Sequence, residues 1–214
     1  MFAYLKRPMG LLAVIVGVWL PAAVGAQTID QQKLIDQLLG KSSRSVAAKA
    51  PATEDVARLR SLLDKVASRA FSAKERTEVA EARTQIAEIV RERPSIDFEI
   101  YFPFNSSSVQ KTALETMQKL GQILSNEAFK DRGFLIAGHT DGKGSDKANQ
   151  FISQRRAETV KAFLVKNYGI DPGRLRIIGY GKEQLKEPGQ PFAEVNRRVQ
   201  IINLPDGTLT ASAK

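Results

Sequence analysis

The sequence contains no cysteine and a single histidine, His139, among its 214 residues. Without cysteine the chain can form no disulfide, no thiolate nucleophile, no iron–sulfur cluster and no cysteine-ligated zinc site. One histidine is also too few for a histidine-rich metal site. Any chemistry must come from carboxylates, cationic side chains, hydroxyls or amides. We therefore expect noncovalent binding rather than catalysis, with no metal and no cofactor.

An apolar run near the N-terminus, Leu11 to Leu20, is interrupted only by Gly17. Lys6 and Arg7 precede this run and small residues end at Ala26, which together predict a secretory signal over residues 1–26, cleaved after Ala26. The alternative is an uncleaved inner-membrane anchor, although the run is shorter than the roughly 20 residues that a spanning helix needs. Both interpretations predict an exported chain.

Acidic residues are fewer than basic ones, 23 against 32, and the net charge is +9. Such a charge can indicate a nucleic-acid partner. An exported protein instead meets anionic lipids and cell-wall polymers, so we expect no nucleic acid among its partners. The 43% of hydrophobic and 26% of charged residues are typical of a soluble globular protein.

The region that follows, residues 27–94, is predicted to be helical. Apolar spacing predicts helices over 27–39, 54–70 and 73–93, with a linker over 41–53. The apolar stripe of the third helix is weak and much of its surface is Glu and Arg. We therefore expect a solvated hairpin or spacer, with a partner-binding coiled coil as the alternative.

From Ile96 onward, short apolar runs typical of strands alternate with amphipathic helices. Strands are predicted over 96–104, 134–137, 175–178 and 199–202, and helices over 109–126 and 148–168. This order predicts an α+β fold in which a βαβαββ string forms one layered sheet with helices packed on it. The tail, residues 205–214, is expected to be disordered.

A polar loop, Gly138 to Gly144, follows a predicted strand directly and precedes a helix, a position at which α/β sheets often bind ligands. The glycines Gly142 and Gly144 lack the later glycine of a dinucleotide site. A Ser-His-Asp triad using His139 and Asp141 is disfavoured because no nucleophile elbow is present. The simpler interpretation of His139 is a loop residue that caps backbone groups.

Two polar residues of the helix 148–168, Arg156 and Asn149, fall on its apolar side when the sequence is phased at about 100° per residue. A buried guanidinium must be paired or meet a ligand, because burying it alone is costly. A structural salt bridge is one explanation. The other is a site in which Asp141 takes an ammonium and Arg156 takes a carboxylate, as an amino-acid headgroup would require.

A set of spaced motifs in this region resembles the OmpA-like peptidoglycan-binding domain. The motifs are Gly138-His139-Thr140-Asp141, Gly144, Asn149, Ser153, Arg156-Ala157, Gly179-Tyr180-Gly181, Asn196-Arg197-Arg198-Val199 and, at a strand end, Phe102-Pro103-Phe104-Asn105. The resemblance covers about Ile96 to Leu204. It implies a βαβαββ domain that binds the diaminopimelate of peptidoglycan stem peptides without covalent chemistry.

The same resemblance implies the site residues. Asp141 and Arg156 match the pair that holds diaminopimelate in the family, and Asn105, Thr140 and Asn149 match neighbouring contacts. For Arg198 two interpretations stay open, a position in the same groove and a structural ion pair.

The domains we expect are a signal (1–26), a helical spacer or interaction region (27–94), an OmpA-like domain (95–204) and a tail (205–214). The N-terminal half lacks the repeated alternation of a transmembrane β-barrel. We expect a periplasmic protein bound to the wall, with outer-membrane association implied by the family. A second hypothesis is an adaptor whose helices over 27–93 bind another envelope protein. A third, a wall hydrolase, lacks a catalytic constellation. The oligomeric state is open, a homodimer included.

Overall fold

The computed structural model describes residues 24–41, 53–67, 73–98, 100 and 111–209. This part of the chain forms helices and one sheet. The helices are α1 (Val24–Leu38), α2 (Thr53–Ala67), α3 (Ala73–Val90), α4 (Lys111–Leu124) and α5 (Asp146–Tyr168). The strands are β1 (Ser95–Phe98), β2 (Phe134–His139), β3 (Leu175–Gly181) and β4 (Val199–Asn203).

The four strands form a mixed sheet in the order β1-β4-β2-β3. Strand β4 is antiparallel to both of its neighbours, whereas β2 and β3 are parallel. A parallel pair needs a crossover connection, which α5 supplies here. The chain order β1-α4-β2-α5-β3-β4 confirms the predicted α+β fold and its βαβαββ string.

One face of the sheet is covered by α1, α4 and α5. Their apolar residues join those of the strands in a single core, in which Leu38, Met117 and Leu164 are fully buried. The side chain of Asn203 on β4 donates a hydrogen bond to the carbonyl of Leu38 (2.9 Å). The first helix is therefore attached to the sheet by both apolar packing and a buried hydrogen bond.

The other face of the sheet is covered by α2 and α3. Leu59 and Leu63 of α2 and Ile86 of α3 pack in one buried cluster with Leu135 and Ile178 of the sheet. The sequence led us to expect a solvated hairpin or spacer here. The structure differs because the few apolar residues of each helix share one face, and the second face of the sheet is also apolar and needs cover.

The start of the tail is also packed. Arg60 of α2 donates hydrogen bonds to the carbonyls of Gly207 and Thr208, and Thr208 is buried. Residues 205–209 therefore do not show the expected disorder, because a basic side chain of α2 holds their backbone. Residues 210–214 lie outside the described part of the chain.

Three other predictions concern residues whose structure is not described. These are the signal up to residue 23, the linker over 42–52 and the Phe-Pro-Phe-Asn strand end at 102–105. They stay predictions. Among the helices that are described, none has the length and apolar character that a membrane span requires.

Candidate functional site

The candidate site lies at the N-terminus of α5, where the chain leaves β2. Ser145 caps the helix, since its hydroxyl accepts a hydrogen bond from the backbone N–H of Ala148 (3.2 Å). This cap explains why α5 begins at Asp146, two residues earlier than predicted. The loop 140–144 therefore lies between a buried strand and a capped helix, which limits its freedom.

Glycine allows α5 to lie close to the sheet. A Cβ at Gly138 would lie 2.1 Å from the carbonyl oxygen of Ser153, and one at Gly179 would lie 2.6 Å from the backbone nitrogen of Gln154. Both distances are far inside van der Waals contact, so only glycine fits at either position without movement of the helix. These two motif residues act through packing, and they set the height of α5 above the sheet.

A cavity of about 320 Å³ opens beside the loop and the first turns of α5. We call it the site cavity. It is lined by Thr140, Asp141, Lys143, Gly144, Ala148, Asn149, Ile152, Arg156, Glu194 and Arg197. Four of the predicted site residues, Asp141, Arg156, Asn149 and Thr140, thus line one cavity.

Asp141 is 7% exposed and both of its carboxylate oxygens have partners. Oδ1 accepts a hydrogen bond from the backbone N–H of Lys143 (3.1 Å), and Oδ2 accepts one from Nη1 of Arg197 (2.9 Å). These donors hold the carboxylate in one orientation at the cavity wall. A carboxylate oxygen has two lone pairs, so each can still accept from a ligand.

Arg156 is 4% exposed and lines the cavity from the third turn of α5. Burial lowers the pKa of its guanidinium to about 10; the nearby Arg197 cation acts in the same direction, and the Asp141 carboxylate opposes them. The group is still protonated at neutral pH. A buried cation beside a second cation is stabilised by an additional anion, so this wall of the cavity favours a negatively charged ligand group.

Asn149 and Thr140 complete the wall near Asp141. The Asn149 side chain donates to the carbonyl of Lys143 (2.8 Å) and so ties α5 to the loop. The Thr140 backbone N–H donates to the carbonyl of Gly181 (2.8 Å), which ties the loop to β3. The Thr140 hydroxyl is buried and has no hydrogen-bond partner within the described part of the chain. Both residues position the loop, and the Thr140 hydroxyl could also meet a ligand.

Arg198 does not line the site cavity. Its Nε donates to Oδ1 of Asp97 on β1 (3.3 Å), and Asp97 also pairs with Lys186 (3.0 Å). The structure thus favours the structural ion pair among the two interpretations of Arg198. The remaining predicted site residue, Asn105, lies outside the described residues.

Sequence reasoning missed Arg197, the neighbour of Arg198. Its guanidinium bridges Asp141 (2.9 Å) and Glu194 (2.5 Å) and lines the cavity. The motif Asn-Arg-Arg-Val contained the signal, but it does not show which arginine faces the loop. Because Arg198 directly precedes β4 and faces Asp97, Arg197 faces the other way.

Asn196, just before Arg197, organises the long connection from β3 to β4. It is fully buried, donates to the carbonyls of Gln190 and Pro191, and accepts from the backbone N–H of Glu187. Pro191 in turn accepts from the N–H of Gly142 (2.8 Å). Asn196 therefore fixes the loop that carries Glu194 and Arg197 against the loop that carries Asp141.

His139 is a buried residue at the end of β2, not a loop residue. Its Nδ1 lies 3.1 Å from the carbonyl oxygen of Gln184, consistent with an Nδ1–H donor, and its ring packs against Tyr180. Burial lowers the pKa of His139 to about 3, and Arg198 contributes to that shift. The expected hydrogen bond to backbone is therefore present, but His139 does not line the site cavity.

The described residues contain no group of three His, Asp or Glu side chains that could hold a metal ion. What the site cavity offers is two carboxylates, one of them held by a backbone N–H, two guanidiniums, an ammonium, an amide and a hydroxyl. This set can bind a ligand that presents an ammonium and a carboxylate a few ångströms apart.

Residues 101–198 match the OmpA family. The chain therefore contains an OmpA family domain, which confirms the resemblance found in the sequence. The matched span includes the loop of Asp141, the whole of α5 and the Asn-Arg-Arg motif.

Individual relatives are about one-third identical to this chain over the residues that align. Outer membrane porin F of Pseudomonas aeruginosa is 32% identical over 118 residues, which are 54% of this chain and 32% of the porin. The peptidoglycan-associated lipoprotein of Buchnera aphidicola is 32% identical over 105 residues, which are 48% of this chain and 59% of the lipoprotein. The chain thus spans only part of the length of either relative.

Among solved structures, the peptidoglycan-associated lipoprotein from Burkholderia pseudomallei is similar, with 30% identity and a TM-score of 0.43. That match covers 52% of this chain and 90% of the lipoprotein chain.

Proposed function

We propose that this protein binds peptidoglycan noncovalently and attaches itself to the cell wall. The observation that carries the proposal is that Asp141 and Arg156, 15 positions apart in sequence, line the same cavity of an OmpA family domain. Relatives of the domain include proteins described as peptidoglycan-associated. No step of this function requires a covalent intermediate.

The ligand group is the free end of diaminopimelate in a stem peptide. Asp141 accepts hydrogen bonds from its ammonium, and Arg156 donates to its carboxylate in the bidentate geometry that a guanidinium favours. Asn149 and Thr140 hold the loop so that the two charges keep their separation. Arg197 keeps Asp141 oriented in the absence of ligand.

The proposal includes the location of the protein and its domain organisation. The signal over 1–26 delivers the chain to the periplasm, where the domain over 95–204 contacts the wall. The region 27–94 supports that domain, since α2 and α3 bury their apolar residues against its sheet. The second hypothesis, an adaptor that binds through these helices, has less support because their apolar faces are already covered.

The test is isothermal titration of the whole chain with a diaminopimelate-containing tripeptide and with its lysine-containing counterpart. Lysine lacks the second carboxylate, so it removes the partner of Arg156. We expect binding of the first peptide and loss of about 10- to 100-fold in affinity for the second, as expected for a hydrogen bond to a charged group. Asp141→Asn and Arg156→Ala should weaken binding of the first peptide by a similar factor.

Two exposed charges supply matched controls. Glu127→Gln removes a carboxylate from a side chain that is 89% exposed, and Lys166→Ala removes an exposed cation from the last turn of α5. Neither residue lines the site cavity, so both variants should bind like the unchanged protein. Equal affinity for both peptides, or full binding by folded Asp141→Asn and Arg156→Ala, would contradict the proposal.

A further inference from the structure

A second and larger cavity lies on the opposite side of α5 from the site cavity. It has a volume of about 960 Å³ and is formed between α5 and the pair α2–α3. We call it the lateral groove. Its lining residues include Val66 of α2, Val79 and Arg83 of α3, and Gln150, Phe151 and Gln154 of α5.

The charges of the lateral groove cancel. Three basic residues line it, and so do three acidic ones: Arg76, Arg83, Lys147, Asp146, Glu158 and Glu183. Two of them pair with each other, Arg83 Nη2 and Glu183 Oε1, at 3.5 Å. An anionic polymer would need a net positive surface, and a lipid surface would need a wider apolar one. The groove therefore suits an uncharged polar ligand.

An exposed aromatic ring and two side-chain amides in the lateral groove are available for contact with a ligand. The Phe151 side chain is 62% exposed although it is large and apolar, and the guanidinium carbon of Arg155 lies 5.5 Å from its ring centre. Gln150 and Gln154 place amide groups along the same wall. An aromatic ring beside amides and charged groups offers both an apolar face and hydrogen-bond partners. A sugar ring likewise has an apolar face and polar groups at its edge, so the two surfaces are complementary.

Two buried polar atoms of the lateral groove, one on α3 and one on α5, lack a partner among the described residues. Arg83 Nε and Gln150 Oε1 are buried and make no hydrogen bond within the described ranges of the chain. Buried polar groups are normally hydrogen-bonded, because leaving one unpaired costs free energy. A ligand rich in hydroxyl and amide groups would supply such partners after a small side-chain rotation.

The two cavities share α5 as a common wall. Asn149, Ile152 and Arg156 face the site cavity, whereas Gln150, Phe151 and Gln154 face the lateral groove. A link between the cavities must pass around α5, and half the circumference of a helix about 10–12 Å wide is about 16–19 Å. In a stem peptide the diaminopimelate side chain, two residues and a lactyl ether separate the bound free end from the sugar. At about 3.5 Å for each residue and for the ether, and about 6 Å for the side chain, this link is about 16 Å long when extended, which just reaches from one cavity to the other.

We propose that the lateral groove binds the N-acetylated sugars of the glycan strand from which a bound stem peptide projects, with Phe151 in contact with a sugar ring. This proposal rests on the proposed function, because the stem peptide in the site cavity places the sugars at the groove. It assigns to the α2–α3 pair a part in ligand binding in addition to covering the sheet.

The experiment compares two ligands on the whole chain by isothermal titration: the free diaminopimelate tripeptide and the same tripeptide attached to its disaccharide. We expect the disaccharide to raise affinity about tenfold, equivalent to about 1.4 kcal/mol. Phe151→Ala should remove that gain and leave the affinity for the free tripeptide unchanged. Leu114→Ala, which removes another exposed apolar side chain (39% exposed) outside both cavities, should retain the gain.

The outcomes separate the two proposals. If the free tripeptide binds but the disaccharide adds nothing, or if Phe151→Ala keeps the full gain, the lateral groove is not a sugar site and the proposed function stands. If neither ligand binds to folded protein, both the proposed function and this inference are overturned.

Discussion

At the scale of single residues, the charged groups of the site cavity depend on one another. Arg197 bridges Asp141 and Glu194, and its charge contributes to the lowered pKa of Arg156. Asp141 and Arg197 are therefore held in place before any ligand arrives. Such pre-orientation lowers the entropic cost of binding, because few side chains need to be ordered.

A glycine of the site motif allows a sharp test of packing. In Gly138→Ala the new methyl group would lie 2.1 Å from the carbonyl oxygen of Ser153, a backbone atom that cannot move without α5. We expect a loss of about 1–3 kcal/mol in the free energy of unfolding, as is usual for overpacking. Urea denaturation followed by circular dichroism measures it. The control is Gly189→Ala, whose Cβ meets no atom within 4 Å; equal stability of the two variants would contradict this explanation.

The buried histidine predicts a pH dependence. His139 has a pKa of about 3 when folded and an ordinary value of 6.5 when exposed, so below pH 6.5 the unfolded chain binds a proton that the folded chain does not. The free energy of unfolding should therefore fall as the pH decreases from 6.5 toward 3.

His139→Asn isolates this effect, since asparagine does not titrate and the chain has no other histidine. Between pH 7.5 and pH 5 the free energy of unfolding of the unchanged protein should fall by about 2 kcal/mol more than that of the variant. Urea denaturation at the two pH values measures both losses. Equal losses would show that His139 can be protonated in the folded state.

At the scale of elements, the pair α2–α3 behaves as part of the layered core. Arg176 of β3 forms an ion pair with Asp64 of α2 (2.6 Å), next to the apolar contacts of the same face. Without these helices, Leu135, Ile178 and Ile202 would lose part of their cover. The sheet is thus enclosed by helices on both sides, α1, α4 and α5 on one and α2–α3 on the other.

A single substitution in α3 tests whether the pair is docked. Ile86 is fully buried, so Ile86→Ala should lower the free energy of unfolding by about 2–5 kcal/mol. Leu114→Ala on α4 removes a partly exposed side chain and should cost much less. Thermal or urea denaturation of both variants decides the question. A negligible effect of Ile86→Ala would indicate that α2–α3 is a solvated spacer after all.

At the scale of the whole molecule, sequence patterns predicted the order of helices and strands from residue 96 onward, and the structure confirms it. They also singled out Asp141 and Arg156, which line one cavity. The prediction of the element order succeeds because hydrophobic periodicity and the strand–loop–helix order are local properties. A charged residue on the apolar side of a helix is likewise visible in the helix alone.

The sequence by itself therefore determined the α+β string, the absence of cysteine chemistry and the choice of Asp141 and Arg156 as candidate site residues. Only the tertiary structure decided that α2–α3 covers the second face of the sheet, that Arg197 rather than Arg198 faces Asp141, and that α5 separates two cavities. The physical reason is that periodicity shows which face of an element is apolar but not which partner covers it. Which partner covers a face depends on the packing of segments that are far apart in the chain. The same packing decides in which direction each of two adjacent loop side chains points.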